Sequence, residues 1–73
     1  MRKEVLQAPV SGIISQINVP SNSFVNEDEL ILSLEVMKLF YNISAGISGT
    51  LNLTVHTGEF VQESQILGEI IEG

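Results

Sequence analysis

An internal repeat constrains the fold of this chain more than any other feature. The segment Ala8–Gly12 (APVSG) reappears 37 residues later as Ala45–Gly49 (AGISG), and Asn22–Glu27 (NSFVNE) reappears 36 residues later as Gly58–Glu63 (GEFVQE). The second copy has therefore lost one residue in its first strand. Two copies are too few for a solenoid, in which stacked repeats share a continuous core. The repeat predicts instead a single domain, residues 1–73, made of two similar halves around a pseudo-twofold axis.

Each half shows the period-two pattern of short β-strands. Residues 51–55 alternate apolar and polar, whereas residues 14–19 keep this pattern only if their strand contains a bulge. No window of helical length carries an apolar stripe, so we expect an all-β fold, a flattened β-sandwich of short strands. Phe24 and Phe60 are equivalent in the two halves, and we expect both to fill the core. Truncating either to alanine would then cost about 3–5 kcal/mol.

Composition narrows the functional class. The 73 residues include three basic and nine acidic residues, a net charge of −6, and no cysteine. The charge argues against nucleic acid or an anionic membrane as a partner, and no thiolate site is possible. No nucleophile with a base, carboxylate dyad or glycine-rich phosphate loop is present, which favours a non-enzyme. Without a secretory apolar region, the expected location is the cytoplasm, or the mitochondrial matrix if this is a fragment of a larger eukaryotic enzyme.

One lysine stands between the two copies. After Arg2 and Lys3, Lys38 is the only lysine or arginine in the chain, and it lies in the apolar segment EVMKLF. Strands at 30–36 and 39–43 would leave Met37-Lys38 as a two-residue hairpin, a place that favours Asn-Gly or Asp-Gly. A turn whose residues depart from the preferred ones, with no visible compensation, is typical of a functional position. Two alternatives stay open: a solubilising surface lysine, or a strand that runs through Lys38 and turns at Tyr41-Asn42.

The whole chain resembles a biotinyl carrier domain of the biotinyl/lipoyl attachment family. The family motif Glu-Ala-Met-Lys-Met appears here as Glu35-Val36-Met37-Lys38-Leu39. The resemblance implies a barrel-sandwich hybrid of two pseudo-twofold-related, four-stranded halves, with the modified lysine at the tip of the central hairpin. It also implies biotin in amide linkage to Lys38, with the four flanking motif residues beside it. Related lipoyl domains place aspartate before the lysine, so Met37 favours biotin.

The same resemblance implies a function and a set of partners. A biotin protein ligase would load Lys38, and the domain would carry carboxybiotin between a biotin carboxylase and a carboxyltransferase, as part of a multi-component carboxylase or transcarboxylase. Phe40 and Tyr41 could contact biotin or the ligase, although packing within the strand is the preferred interpretation. A lipoyl-type carrier and an unmodified sandwich that serves as an interaction module remain as alternatives. Departures from the family pattern include Asn22, Asp28 and Ser64, where glycine is common.

Overall fold

Eight β-strands account for the regular structure of the chain. The computed structural model describes residues 1–73 and contains no helix. Its strands are β1 (Lys3–Gln7), β2 (Gly12–Ile17), β3 (Phe24–Val25), β4 (Leu30–Val36), β5 (Leu39–Ser44), β6 (Gly49–Leu53), β7 (Phe60–Val61) and β8 (Ile66–Ile71). No helix is present that has the length and hydropathy needed to cross a membrane.

The strands form two four-stranded antiparallel sheets that are copies of each other. Sheet A has the order β1-β8-β6-β3 and sheet B the order β5-β4-β2-β7. Strands that are four places apart in chain order, such as β1 and β5 or β4 and β8, occupy equivalent positions in the two sheets. Each sheet therefore takes two strands from each half of the sequence. The expected all-β sandwich with a pseudo-twofold axis is confirmed.

A bulge in β2 explains the change of offset between the repeats. The pairing of β2 with β4 shifts register between Ile14 and Gln16, whereas the equivalent pairing of β6 with β8 runs without a shift. Ser15 is the extra residue, and its hydroxyl donates a hydrogen bond of 3.1 Å to the Ser33 carbonyl oxygen. The predicted bulge lies where residues 14–19 require it.

The core also follows the repeat. Fourteen apolar side chains are buried between the sheets, and all but Leu6 and Leu32 form pairs separated by 36 or 37 residues. The pairs are Ala8/Ala45, Ile14/Leu51, Val19/Val55, Val25/Val61, Ile31/Leu67 and Leu34/Ile70. The first half thus contributes eight and the second half six of the apolar side chains whose burial stabilises the domain.

The expectation that Phe24 and Phe60 fill the core is wrong. Their side chains are 64% and 58% exposed, whereas the following residues, Val25 and Val61, are fully buried. Both phenylalanines begin two-residue strands, and successive side chains of a strand point to opposite faces. Valine takes the inward position in each case. The expected cost of about 3–5 kcal/mol for truncating either phenylalanine applies to buried aromatic side chains and therefore not to these two.

The turns repeat with the strands. Asn22 and Gly58 have φ of 73° and 90°, and Asp28 and Ser64 both have φ of 72°. These two pairs are each separated by 36 residues, so the backbone adopts the left-handed region at equivalent places in both halves. Asn22 therefore adopts a backbone conformation similar to that of its glycine equivalent in the second half.

Candidate functional site

Lys38 lies in a two-residue turn that joins β4 to β5. Val36 pairs with Leu39 at the base of the turn, and Glu35 pairs with Phe40 one step further from it. Met37 and Lys38 both have positive φ, 50° and 70°. Positive φ at both central residues is the requirement of a type I′ turn, whose twist matches that of the flanking strands. The predicted tight hairpin is confirmed, and the alternative turn at Tyr41-Asn42 is ruled out.

The residues of this turn are poor choices for its backbone conformation. A side chain with a β-carbon loses roughly 1–2 kcal/mol in the left-handed region, and only asparagine, aspartate and glycine enter it readily. Met37 gains nothing in return by packing, because its side chain is 92% exposed. Backbone strain of this kind that no contact offsets is a common feature of functional positions. The turn is therefore the first place to look for a role beyond folding.

The Lys38 side chain is exposed and unpaired. Ion pairs join Arg2 to Glu72 and Lys3 to Glu69, and the His56 imidazole lies 3.8 Å from the Glu59 carboxylate. None of these contacts involves Lys38, and no hydrogen bond engages its amine. No group of His, Cys, Asp or Glu side chains is arranged to hold a metal ion. The amine is thus presented to solvent at a fixed point of the backbone, with neither a competing partner nor a neighbouring base of its own chain.

The other predicted site residues are contiguous with Lys38 in the hairpin. Glu35 is exposed, Val36 is half-buried, and Leu39 and Phe40 are both 61% exposed. The preference for strand packing at Phe40 is therefore wrong, because the residue faces outward at the hairpin base. Tyr41 is more sheltered, at 37% exposed, as expected of a half-exposed strand tyrosine.

Gly12 allows strand β2 to lie close to the base of the lysine hairpin. A β-carbon at this position would lie 2.6 Å from Cγ2 of Val36 and 2.8 Å from the Glu35 carbonyl oxygen. Both distances are far shorter than ordinary contacts, so only glycine allows β2 to approach the base of the hairpin so closely. The sequence marks Gly12 only as the end of a repeated segment, because the close approach depends on which strand lies next to β2.

The chain termini lie away from Lys38. At the end of β5 remote from the turn, the Gly46 amide donates a hydrogen bond of 2.7 Å to Oε1 of Glu4 in β1. Beyond Glu4, Arg2 donates two side-chain hydrogen bonds to Glu72, of 3.1 and 2.8 Å, which fastens the two ends of the chain together. Lys38 and the termini are therefore separated by the length of β5.

Lys38 thus combines an exposed, unpaired amine with a hairpin whose two turn residues have positive φ, between two symmetric half-domains. The family model for biotin-requiring enzymes, which covers biotin and lipoyl attachment, matches residues 22–70. This chain belongs to the biotinyl/lipoyl attachment family. The matched range makes up most of the chain and contains the whole hairpin.

Solved structures share the fold of this attachment domain. A single-chain, multi-domain long-chain acyl-CoA carboxylase matches 97% of the chain with a TM-score of 0.87 and 18% identity. The urea carboxylase of Kluyveromyces lactis matches 97% with a TM-score of 0.85 and 18% identity. The attachment domain spans only 7% and 6% of these two proteins. The lipoyl domain of the 2-oxoglutarate dehydrogenase complex of Azotobacter vinelandii matches 94% of the chain over 96% of its own length, with a TM-score of 0.82 and 24% identity.

Proposed function

We propose that this domain is a biotin carboxyl carrier, with biotin attached to Lys38 through an amide. The proposal rests on one observation: Lys38 is exposed and unpaired at the tip of a two-residue turn, in which Met37 also has a strained backbone conformation. Biotin, when attached, supplies a ureido nitrogen that accepts a carboxyl group at one active site and releases it at another. The fold likenesses to two carboxylases are consistent with this role.

The residues around Lys38 fit covalent attachment and do not fit catalysis. The new bond joins Nζ of Lys38 to the carboxyl carbon of biotin that the ligase has activated as its adenylate; AMP leaves and Nζ loses a proton. No side chain of this chain hydrogen-bonds to Nζ, so the base that receives the proton belongs to the ligase or to solvent. The domain contributes a rigid backbone that holds the amine at one position.

The placement of the termini suits a carrier. A linker at either terminus would approach from the side remote from Lys38, so the hairpin would stay accessible while the domain is tethered. Tethering replaces diffusional encounter with an effective concentration of order mM for a linker of suitable length. We propose a biotin carboxylase and a carboxyltransferase as the two enzymes visited, in the cytoplasm or the mitochondrial matrix.

A lipoyl carrier is the second candidate, because the Azotobacter vinelandii lipoyl domain matches over almost its whole length. Met37, in the place where related lipoyl domains have aspartate, favours biotin. The two candidates differ in which ligase loads Lys38, and this difference can be measured directly.

The deciding experiment incubates the purified domain with ATP and either a biotin protein ligase and biotin or a lipoate ligase and lipoate. We expect the intact mass to increase by one biotinyl group in the first reaction and to stay unchanged in the second. Lys38→Arg, which keeps the charge, should abolish the reaction while changing the free energy of unfolding by less than about 0.5 kcal/mol. Loading by the lipoate ligase alone would establish the second candidate, and loading by neither would leave an interaction module.

A further inference from the structure

A row of exposed side chains crosses sheet B beside the lysine. Phe40 of β5 pairs with Glu35 of β4, Glu35 pairs with Ile13 of β2, and Ile13 pairs with Phe60 of β7. Directly paired residues of neighbouring strands lie on the same face of a sheet. Phe40, Ile13 and Phe60 are 61%, 48% and 58% exposed, so this face is the outer one. We call these four residues the outer row.

The outer row is continuous with the attachment site. Phe40 is two residues from Lys38, and the row extends from there across all four strands of sheet B, about 14 Å at the usual strand spacing. Two of its three apolar members, Ile13 and Phe60, lie far from the EVMKLF segment in sequence and reach its neighbourhood only through the pairing of β2 with β4 and β7.

The pseudo-twofold axis supplies an internal comparison. The equivalent positions of sheet A, which lies away from Lys38, are Lys3, Ile71, Thr50 and Phe24. Lys3 and Thr50 replace Phe40 and Ile13, which introduces a cation and a hydroxyl, while Ile71 replaces Glu35. The sheet that carries the lysine therefore has three apolar side chains in its row, two of them aromatic, and the other sheet has two, one of them aromatic.

Charge indicates which kind of surface would cover the row. Glu35 is the only charged member, it forms no ion pair within the chain, and the domain carries a net charge of −6. A partner that buried the row without a cation opposite Glu35 would leave an unpaired carboxylate at the interface, which is costly. The complementary surface is therefore apolar with a basic side chain near its centre.

We propose that the outer row is a docking surface for the ligase that loads Lys38, and that Ile13 and Phe60 contribute to recognition from outside the lysine hairpin. The inference rests on the proposed function. Neither residue touches the reacting amine, so both contribute to binding alone. Removing either side chain should therefore raise KM and leave kcat unchanged. Exposed aromatic side chains are common anchors of such interfaces.

The test compares Phe60→Ser with Phe24→Ser. The two phenylalanines begin equivalent two-residue strands and are similarly exposed, so both variants should lose the same small stability in urea. With a biotin protein ligase, biotin and ATP, Phe60→Ser should lower kcat/KM roughly tenfold through KM, while Phe24→Ser stays within about twofold of the unaltered domain.

A second pair of variants exchanges the equivalent residues of β2 and β6. Ile13→Thr should lower kcat/KM as Phe60→Ser does, and Thr50→Ile should leave it unchanged. Glu35→Gln should weaken the dependence of KM on salt, because one charge pair across the interface is lost.

The outcomes separate the inference from the function on which it rests. If the unaltered domain is not biotinylated, the proposed function fails and the docking surface with it. If the domain is biotinylated but Phe60→Ser and Phe24→Ser react alike, the docking surface alone is refuted. The inference is also overturned if Phe60→Ser leaves KM unchanged but abolishes self-association in sedimentation, since the row would then cover a second copy of the chain.

Discussion

Replacing Met37 with asparagine should make the domain more stable. Met37 has φ of 50°, and its side chain is 92% exposed, so the substitution relieves backbone strain and removes almost no packing. Asparagine is among the residues that enter the left-handed region readily, since its short side chain can hydrogen-bond locally.

The magnitude follows from the turn conformation. A residue with an ordinary side chain loses roughly 1–2 kcal/mol in this region, and asparagine avoids much of that loss. We expect Met37→Asn to raise the free energy of unfolding by about 1 kcal/mol. With an m-value near 1 kcal/mol/M, usual for the smallest domains, the urea midpoint rises by about 1 M.

The matched control is the reverse exchange at another turn. Asn22 is exposed, has φ of 73° and makes no side-chain hydrogen bond, so Asn22→Met should lower the midpoint by a similar amount. Urea titration of both variants, followed by the rate of biotinylation, completes the measurement. Met37→Asn should react more slowly despite its greater stability, whereas Asn22→Met should react normally while folded.

Two results would contradict this reasoning. An unchanged or lower midpoint for Met37→Asn would show that the turn is not strained by methionine. A stabilised variant that is biotinylated at the full rate would show that Met37 has no part in recognition, and the strain would then have no functional explanation.

Val25→Ala and Val61→Ala should each lower the free energy of unfolding by about 2–3 kcal/mol in urea, and by nearly equal amounts, because both side chains are fully buried at equivalent positions; unequal values would argue against the symmetric core. Gly68→Ala should destabilise by about 1–3 kcal/mol, since a β-carbon there would clash with a backbone carbonyl oxygen of the neighbouring strand; a higher melting temperature would contradict this. The side-chain hydrogen bond from Arg2 holds the pKa of Glu72 below its ordinary value. The contribution of this ion pair to the stability of the fold is therefore complete above the ordinary carboxyl pKa of about 4.3, and it is lost as the pH falls through the lowered pKa of Glu72. Arg2→Gln should remove this part of the acid dependence of the melting temperature.

The sequence predicts the features that depend on local pattern. The repeat, the bulge near Ser15 and the hairpin at Met37-Lys38 all follow from spacing, and the structure contains each of them. The sequence does not predict which residue of each Phe-Val pair points into the core. A strand of two residues is too short to show the apolar-polar alternation that distinguishes the buried face from the exposed one. The choice of the larger apolar residue as the inward one was wrong, because valine occupies the buried position in both pairs.

The outer row shows a second limit. Ile13 and Phe60 are neighbours only because β7 pairs with β2, which joins residues 47 apart in the sequence. Period-two patterns indicate which residues share a face within a strand, but they do not give the order of strands in a sheet. The part of the candidate site that is local was predictable, and the part that depends on strand order was not.

The interleaving of the two halves also governs the order of events during synthesis. The hairpin that carries Lys38 closes over two residues, whereas the pairing of Lys3 with Ile71 closes nearly the whole chain. Such long-range pairing carries a large loop-closure entropy and makes folding slow relative to helical domains of the same size. The buried side of β4 packs against sheet A, which is incomplete until β8 is added. We therefore expect Lys38 to lie on an incompletely folded segment of the nascent chain, and its amine to acquire a fixed geometry only after β8 has been synthesised.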